Sequence, residues 1–560
     1  MPSILISSLF VSTVDYDVVV YGSSPAGIAA AVAAGTLGMR VALFEPLKMI
    51  GGMGAAGNLA LNDGGLNAER TGLALNFTLL NGKAYNLSTE VPHPESFVAE
   101  ASFQTMLAKA SVTKVELDCR LLSATASKPA TGSPSKVESI TVLCEPDPVT
   151  ATVFIDASYD GDVMTGVANI KYTAGREAVS TYNESLAGAR APGWVGVSGP
   201  RGVDPFREDG TLLKYVANVS ELAPPGEADD ELMAFQHRMC ISAAHDRVPW
   251  PKPPGYDADD FLLLQRTLDA VGGGDASFFT RLPPSRLPGL PSHIDKFCLC
   301  CGISVYASDQ PMLNRGWASA SWERKQQIVA EHTYFELGSF YYLANDPRVA
   351  AKVRAQFGAY GLCRDEFAAF GHVPPQLYVR ISNRLVGDWV ATQNNIVRPS
   401  RSRADSVAVG DWSFDEHMTG KYAVPLDGAA GKKWEVQLEG NFWPSIANGS
   451  NWYDVPYKVM VPQRGTGANL LVPVCLSASA VAFSSMRIEN MYMSLGAAAG
   501  VAAKQLVDGS VATVQDVDVA SVQRILTSVF GQRIHGPPKS HRQHRASSSS
   551  LGASVTVEGV

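Results

Sequence analysis

The chain contains no CxxCxxC run, and no CxxC pair apart from Cys298 and Cys301. Its eight cysteines are thinly spread over 560 residues, except where Cys298, Cys300 and Cys301 crowd into KFCLCCG. That spacing is too tight for zinc or iron–sulfur ligation, which uses motifs such as CxxCxxC. These thiols read as buried or incidental, and no metal is expected. Positive charge is not in excess either: 46 Lys and Arg face 54 Asp and Glu, a formal net charge of -8. Such a chain carries no basic footprint for nucleic acid. No apolar run reaches the ~20 residues that a membrane helix needs. With 46% hydrophobic and 18% charged residues, the composition is that of a soluble globular protein, and its length allows more than one domain.

The N-terminus and the glycosylation sequons name no compartment. Residues 1–14 (MPSILISSLFVSTV) are short and apolar but lack the basic flank and cleavage site of a signal peptide. They read as a lead-in to the first strand. Asn-x-Ser/Thr sequons at Asn76, Asn86, Asn183, Asn218 and Asn448 matter only in a secreted chain, so localisation stays open.

What is present is concentrated in Tyr16 to Gly52, YDVVVYGSSPAGIAAAVAAGTLGMRVALFEPLKMIGG. A β-branched run ends at Gly22, an alanine-rich helical stretch follows, and a second apolar strand ends in Glu45. Strand, glycine turn, helix, strand and acid together form a dinucleotide-binding unit. Gly22 turns the chain off the strand, and Gly27 lets the helix pack on the sheet. The amides at the helix start, with the positive end of its dipole, suit a pyrophosphate. Ser24 stands where the middle glycine is usual, Pro25 fits the first helical turn, and Ala26 follows. Glu45 is placed to accept bonds from ribose hydroxyls, and its charge would repel a 2′-phosphate.

Gly51-Gly52-Met53-Gly54, with Gly57 and Asn62-Asp63-Gly64-Gly65 beyond, lets backbone lie against a flat ligand. Helical spacing covers Ser96 to Ala110. Strands are expected over Val112 to Leu122, Ser139 to Leu143 and the start of VFIDASYDGD. In that last segment, Asp156 and Ala157 end a strand beside the first turn, where a carboxylate or an amide can meet the cofactor.

GSSPAGIAAAVAA, the GGM turn and IDASYDGD, in this order, resemble the FAD-dependent oxidoreductase family. Its members are akin to the fumarate reductase and glutathione reductase flavoproteins, and some are labelled xanthan lyase-like. YTAGREAVSTYNESLAG, LMAFQHRMCIS, DSVAVGDWSFDEH and the stretch from Tyr453 to Gly500 are similar to the same family, from about Asp15 to Gln532. The resemblance implies FAD as cofactor and an α/β fold. A Rossmann-like FAD domain of the glutathione reductase type would be discontinuous, residues 15–190 and 451–530. An inserted α+β substrate domain would span 191–450, with residues 1–14 as lead-in and 531–560 as a disordered tail. No second nucleotide fingerprint appears, which argues against a built-in NAD(P)H domain.

Candidate chemistry then falls on a few residues. Arg380 and Arg384 lie four apart, so on a helix they share a face. They are either an ion-paired face or a grip for a substrate anion. His417, in a segment similar to the family, is the candidate acid–base, because histidine titrates near neutrality. Arg487, with Glu489, either orients substrate or forms a buried pair. His332, amid the aromatics of a helix over Ser321 to Leu343, reads as structural. Gly496, in a small-residue helix near Tyr492 to Leu506, suits either close approach to a flavin or tight helix packing. The family usually has a His where this chain has Ala480. The implied reaction is hydride transfer between a small organic substrate and flavin N5, with an unknown external acceptor. A flavin-containing lyase or isomerase, or a degenerate flavin-binding protein, is the alternative.

Overall fold

The computed structural model describes residues 14–61, 70–128, 133–193, 200–273, 290–292, 294–298, 308–397, 403–426, 433–442 and 452–536. Residues 1–13, Asn62 to Gly65, Cys300, Cys301, Asn448 and the tail beyond 536 lie outside them.

The fold is mixed α/β, built on a five-stranded parallel sheet. β1 (Tyr16–Tyr21), β2 (Val41–Phe44), β3 (Lys114–Glu116) and β6 (Ala151–Asp156) join Leu470–Leu471 from near the other end of the chain. The spatial order is Leu470–Leu471, β6, β1, β2, β3. Val18, Val19 and Val20 are buried because both faces of the sheet are covered, the usual setting of parallel strands. Register is even: Tyr21 pairs with Phe44 on one side and with Asp156 on the other. Three strands therefore end level, and the residues that follow them share one edge.

α1 (Pro25–Thr36) leaves β1 and is buried over its first ten residues. It is apolar all round because it is covered twice, by the sheet and by the helix Glu489–Val507. Contact between the two helices is so close that a Cβ on Gly496 would lie 2.0 Å from the Ala26 carbonyl oxygen. One on Gly500 would lie 2.4 Å from that of Ala30. α2 (Gly72–Ala84) and α3 (Ser96–Lys109) complete this side.

Several expectations are corrected. The stretch Val112 to Leu122 is not one strand. β3 joins the parallel sheet, whereas β4 (Leu121–Ala126) turns away to pair antiparallel with β5 (Val137–Val142). Leu232 to Ser242, whose sequence reads as an inward-facing strand or helix, is a strand only at Cys240–Ser242, and the rest is irregular but buried. Residues 374–392 hold no helix. Arg384–Leu385 is a short strand paired with Tyr172–Thr173, so Arg380 and Arg384 share no helical face. The helix around the aromatics runs Trp322–Asn345, capped by Ser321, whose hydroxyl accepts from the Arg324 N–H.

Cysteine pairing, which no spacing announced, is present: Cys119 bonds Cys144 and Cys240 bonds Cys363. Among the described residues no helix is long and apolar enough to cross a membrane.

Candidate functional site

Where β1, β2 and β6 end level, a cleft opens, lined by Gly22, Ser24, Glu45, Gly52, Ala157 and Tyr159 among others. Gly22 has φ +89, and a Cβ there would sit 2.7 Å from the Ser158 nitrogen. Only glycine meets both demands. Gly27 brings the helix start onto this turn, since its Cβ would lie 1.9 Å from the Gly22 carbonyl oxygen. Gly51 and Gly52 also have positive φ, and a Cβ on Gly52 would fill the space beside the Tyr159 hydroxyl, 2.7 Å away.

Ser24 caps α1. Its hydroxyl accepts from the Gly27 N–H (3.3 Å) and donates to the Ala157 carbonyl (2.7 Å). The side chain that replaces a glycine is thus turned into the protein. Among the described residues nothing accepts from the backbone N–H of Ser24 or Ala26. Buried amides without acceptors, at the positive end of a helix, fit a diphosphate. Glu45 lies in the cleft wall. One of its oxygens accepts from the Ser23 N–H (2.7 Å) and hydroxyl (2.6 Å), the other from the Leu47 N–H (2.8 Å). Burial pushes its carboxyl up against the pull of those donors. They fix its orientation, and its further lone pairs suit ribose hydroxyls.

The outer wall comes from the helix Trp322–Asn345. Lys325 pairs with Asp160 (2.9 Å) and Asp162 (3.8 Å), and the Trp317 indole donates to Asp160 (2.6 Å). Burial pushes the Asp162 carboxyl up to about 7.

Three cofactor assignments change. Asp156 is wholly buried, and its oxygens accept from the Ser158 N–H and hydroxyl and the Met164 N–H. Burial raises its pKa to about 6. It shapes the turn, and Ala157 alone of the pair lines the cleft. The Met53 side chain is folded under its own loop, against Gly57. Its N–H donates to the Tyr159 hydroxyl (2.8 Å), so Met53 contributes backbone geometry. Gly496 lies two turns inside its helix, packed on Ala26, so its smallness serves helix contact.

A second cluster holds the acid–base candidate. His417 Nδ1 is 2.7 Å from Asp309 Oδ2, and its Nε2 is 3.4 Å from Asp415 Oδ1. Burial and the Arg380 charge pull its pKa down, but the two carboxylates outweigh them and it stands above the ordinary value. Asp309 is pushed up by burial, yet Arg380 and His417 bring it to about 2. Arg380 donates to Asp309 (2.8 Å) and to the Ala234 carbonyl. Fully buried and so engaged, it is an ion-paired arginine, as is Arg384 with Glu177 (2.6 Å). Arg487 donates to the Tyr378 hydroxyl (2.6 Å) and to Asp415 (3.0 Å). His332 is fully buried, and burial first of all drives its pKa to about 3, which keeps it neutral.

The two clusters meet. Tyr378 packs with Met53, Leu59 and Tyr159, and Tyr159 donates to Glu489 at the start of the C-terminal helix (3.0 Å). A line of contacts therefore leads from the cleft through Tyr159, Tyr378, Arg487 and Asp415 to His417. Ser23, Tyr159, Asp309, Tyr378 and Asp415 were not singled out by sequence. Ser23, Tyr159 and Asp415 stood inside motifs similar to the family, whereas Asp309 and Tyr378 stood in none. Ala480, in place of the family histidine, begins a buried helix and donates its N–H to Glu177 (2.9 Å).

Fold and cleft define an α/β protein that binds a dinucleotide. The family model for FAD dependent oxidoreductases matches residues 17–526, and the chain belongs to that family. It is an FAD-dependent oxidoreductase with a flavin redox role. No curated protein matches it. Among solved structures it is similar to THI4 of Thermovibrio ammonificans (18% identity, 38% of this chain and 75% of that one, TM-score 0.22). A geranylgeranyl bacteriochlorophyll reductase-like protein of Thermoplasma acidophilum matches at 15% identity, over 28% and 42%, with TM-score 0.19. The thioredoxin reductase of T. acidophilum matches at 19%, over 26% and 35%, with TM-score 0.16.

Proposed function

We propose that this enzyme oxidises a small organic substrate by removing a hydride, with His417 taking the accompanying proton. The amides of Ser24 and Ala26 would hold the diphosphate of FAD, and Glu45 its ribose. Bound FAD supplies a two-electron acceptor at flavin N5. The chain's own residues then do the rest. Asp309 holds His417 through Nδ1, which leaves Nε2 as the nitrogen for proton transfer, beside Asp415. Arg380 and Arg487 position this pair of carboxylates and are not themselves presented to substrate.

The domain plan that goes with this reading is a glutathione reductase type FAD domain from residues 15–190 and 451–530, with 191–450 inserted as the substrate domain. Pairing of Leu470–Leu471 with β6 supports the return of the chain to the first sheet. The external acceptor is oxygen or another oxidant.

One observation carries the proposal: the only partly exposed member of the His417–Asp309–Arg380 cluster is His417, and contacts tie it to the cleft. Substrate-dependent bleaching near about 450 nm, where oxidised flavins absorb, is the test. His417→Ala should suppress bleaching while FAD stays bound. Turnover without bleaching would replace the proposal with the non-redox chemistry of a xanthan lyase-like subgroup.

A further inference from the structure

We propose that this chain matures in an oxidising, glycosylating compartment and carries N-linked glycans on Asn86 and Asn183. Two independent observations lead there.

The first is the pair of disulfides. Cys119–Cys144 and Cys240–Cys363 have Cα separations of 5.0 and 5.5 Å, ordinary for bridged cysteines. Both link segments already held together: Leu143 N–H donates to the Arg120 carbonyl beside the first bridge, and Cys363 N–H to the Cys240 carbonyl at the second. Stable bridges belong to oxidising compartments, because reducing ones keep such thiols apart. Each forms when two thiols lose their protons and pass two electrons to a disulfide-bearing oxidoreductase.

The second is where the fold puts the sequons. Asn86, Leu87 and Ser88 are all exposed, just past α2, with Asn86 in the left-handed region at φ 59. Asn183 is exposed at φ 54 and ends the helix Val179–Tyr182, and Ser185 is exposed two residues on. Asn86 stands in an open turn; at Asn183 the exposed carboxamide flanks the buried Glu184, and the exposed Ser185 hydroxyl accepts from the Gln393 amide (2.9 Å). Asn76 and Asn218 differ. Asn76 lies within α2, and the Thr78 that completes its sequon is fully buried and donates to Glu90. Asn218 is half-buried and its side chain accepts from the Ser220 N–H. At an occupied site the carboxamide nitrogen bonds the anomeric carbon of an oligosaccharide. A lipid diphosphate leaves, and the nitrogen loses one proton.

The test uses protein purified from the organism that makes it, its thiols blocked with iodoacetamide at lysis. Peptide mass spectrometry should show Cys119 linked to Cys144 and Cys240 to Cys363. Enzymatic deglycosylation in heavy-oxygen water should convert Asn86 and Asn183 to labelled Asp. Alkylation of these four cysteines without reductant overturns the compartment. Unlabelled Asn86 and Asn183, or label only at Asn76 or Asn218, overturns the glycan assignment. In full-length protein secreted from cultured cells, Asn86→Gln and Asn183→Gln should each lose one glycan mass and keep FAD binding and turnover.

Discussion

Gly496 touches Ala26 so closely that a methyl group on the glycine would lie 2.0 Å from the Ala26 carbonyl oxygen. The C-terminal helix is thereby seated on the helix whose first turn faces the cleft. Gly496→Val must push the helices apart, at a cost of about 1–3 kcal/mol or more for such overpacking. Because Ala26 lies at the cofactor end of α1, FAD should also be held less tightly. Gly358→Ala, with nothing within 4 Å of its added methyl, is the control. Thermal unfolding and FAD titration of both variants check this. Equal melting temperatures would contradict it.

Glu45 is the second lever. Glu45→Arg loses the bonds to Ser23 and Leu47 and places a cation at the ribose wall. FAD affinity should fall at least about tenfold, or ~1.4 kcal/mol. The ratio of flavin to protein absorbance after gel filtration reports it. Full occupancy in the variant removes the ribose assignment.

Acid–base catalysis by His417 has a pH signature. Asp309 and Asp415 raise its pKa, so the imidazole stays protonated above its ordinary range. A base must be neutral, so kcat/KM should rise with pH through a value above ~6.5. Asp309→Asn removes a raising charge and should shift that limb to lower pH. A profile that does not move between the two proteins separates His417 from the chemistry. The same pairing has a stability consequence of opposite sense. A histidine raised in the folded state contributes stability below its unfolded pKa, and that contribution is lost as pH climbs through the folded value.

Arg380 distinguishes structure from substrate binding. Arg380→Met leaves Asp309 charged and buried without its strongest partner. Breaking a buried pair in this way costs about 3–5 kcal/mol. Chemical denaturation should show that loss. An unchanged midpoint with a raised KM would instead make Arg380 the anion grip.

Contiguous stretches of sequence determined the nucleotide end of this protein. β1, Gly22, α1, β2 and Glu45 are neighbours along some thirty residues, and each leaves a local mark: β-branching, a turn glycine, an alanine run, a strand-end acid. The long helix Trp322–Asn345 was equally legible from its apolar spacing. Asp156 and Gly496 were ambiguous, since one holds the turn after β6 and the other packs on Ala26, and acidity or small size serves either a ligand or the fold until the neighbours are known.

Only the tertiary structure decided the rest. Asp309 reaches His417 across 108 residues, Tyr159 reaches Glu489 across 330, and Cys240 reaches Cys363 across 123. Contacts at such separations leave no periodic trace, since they follow from how the sheets and helices pack. The charge state of His417 follows from them too, because burial and the two flanking carboxylates exist only once those distant segments have met.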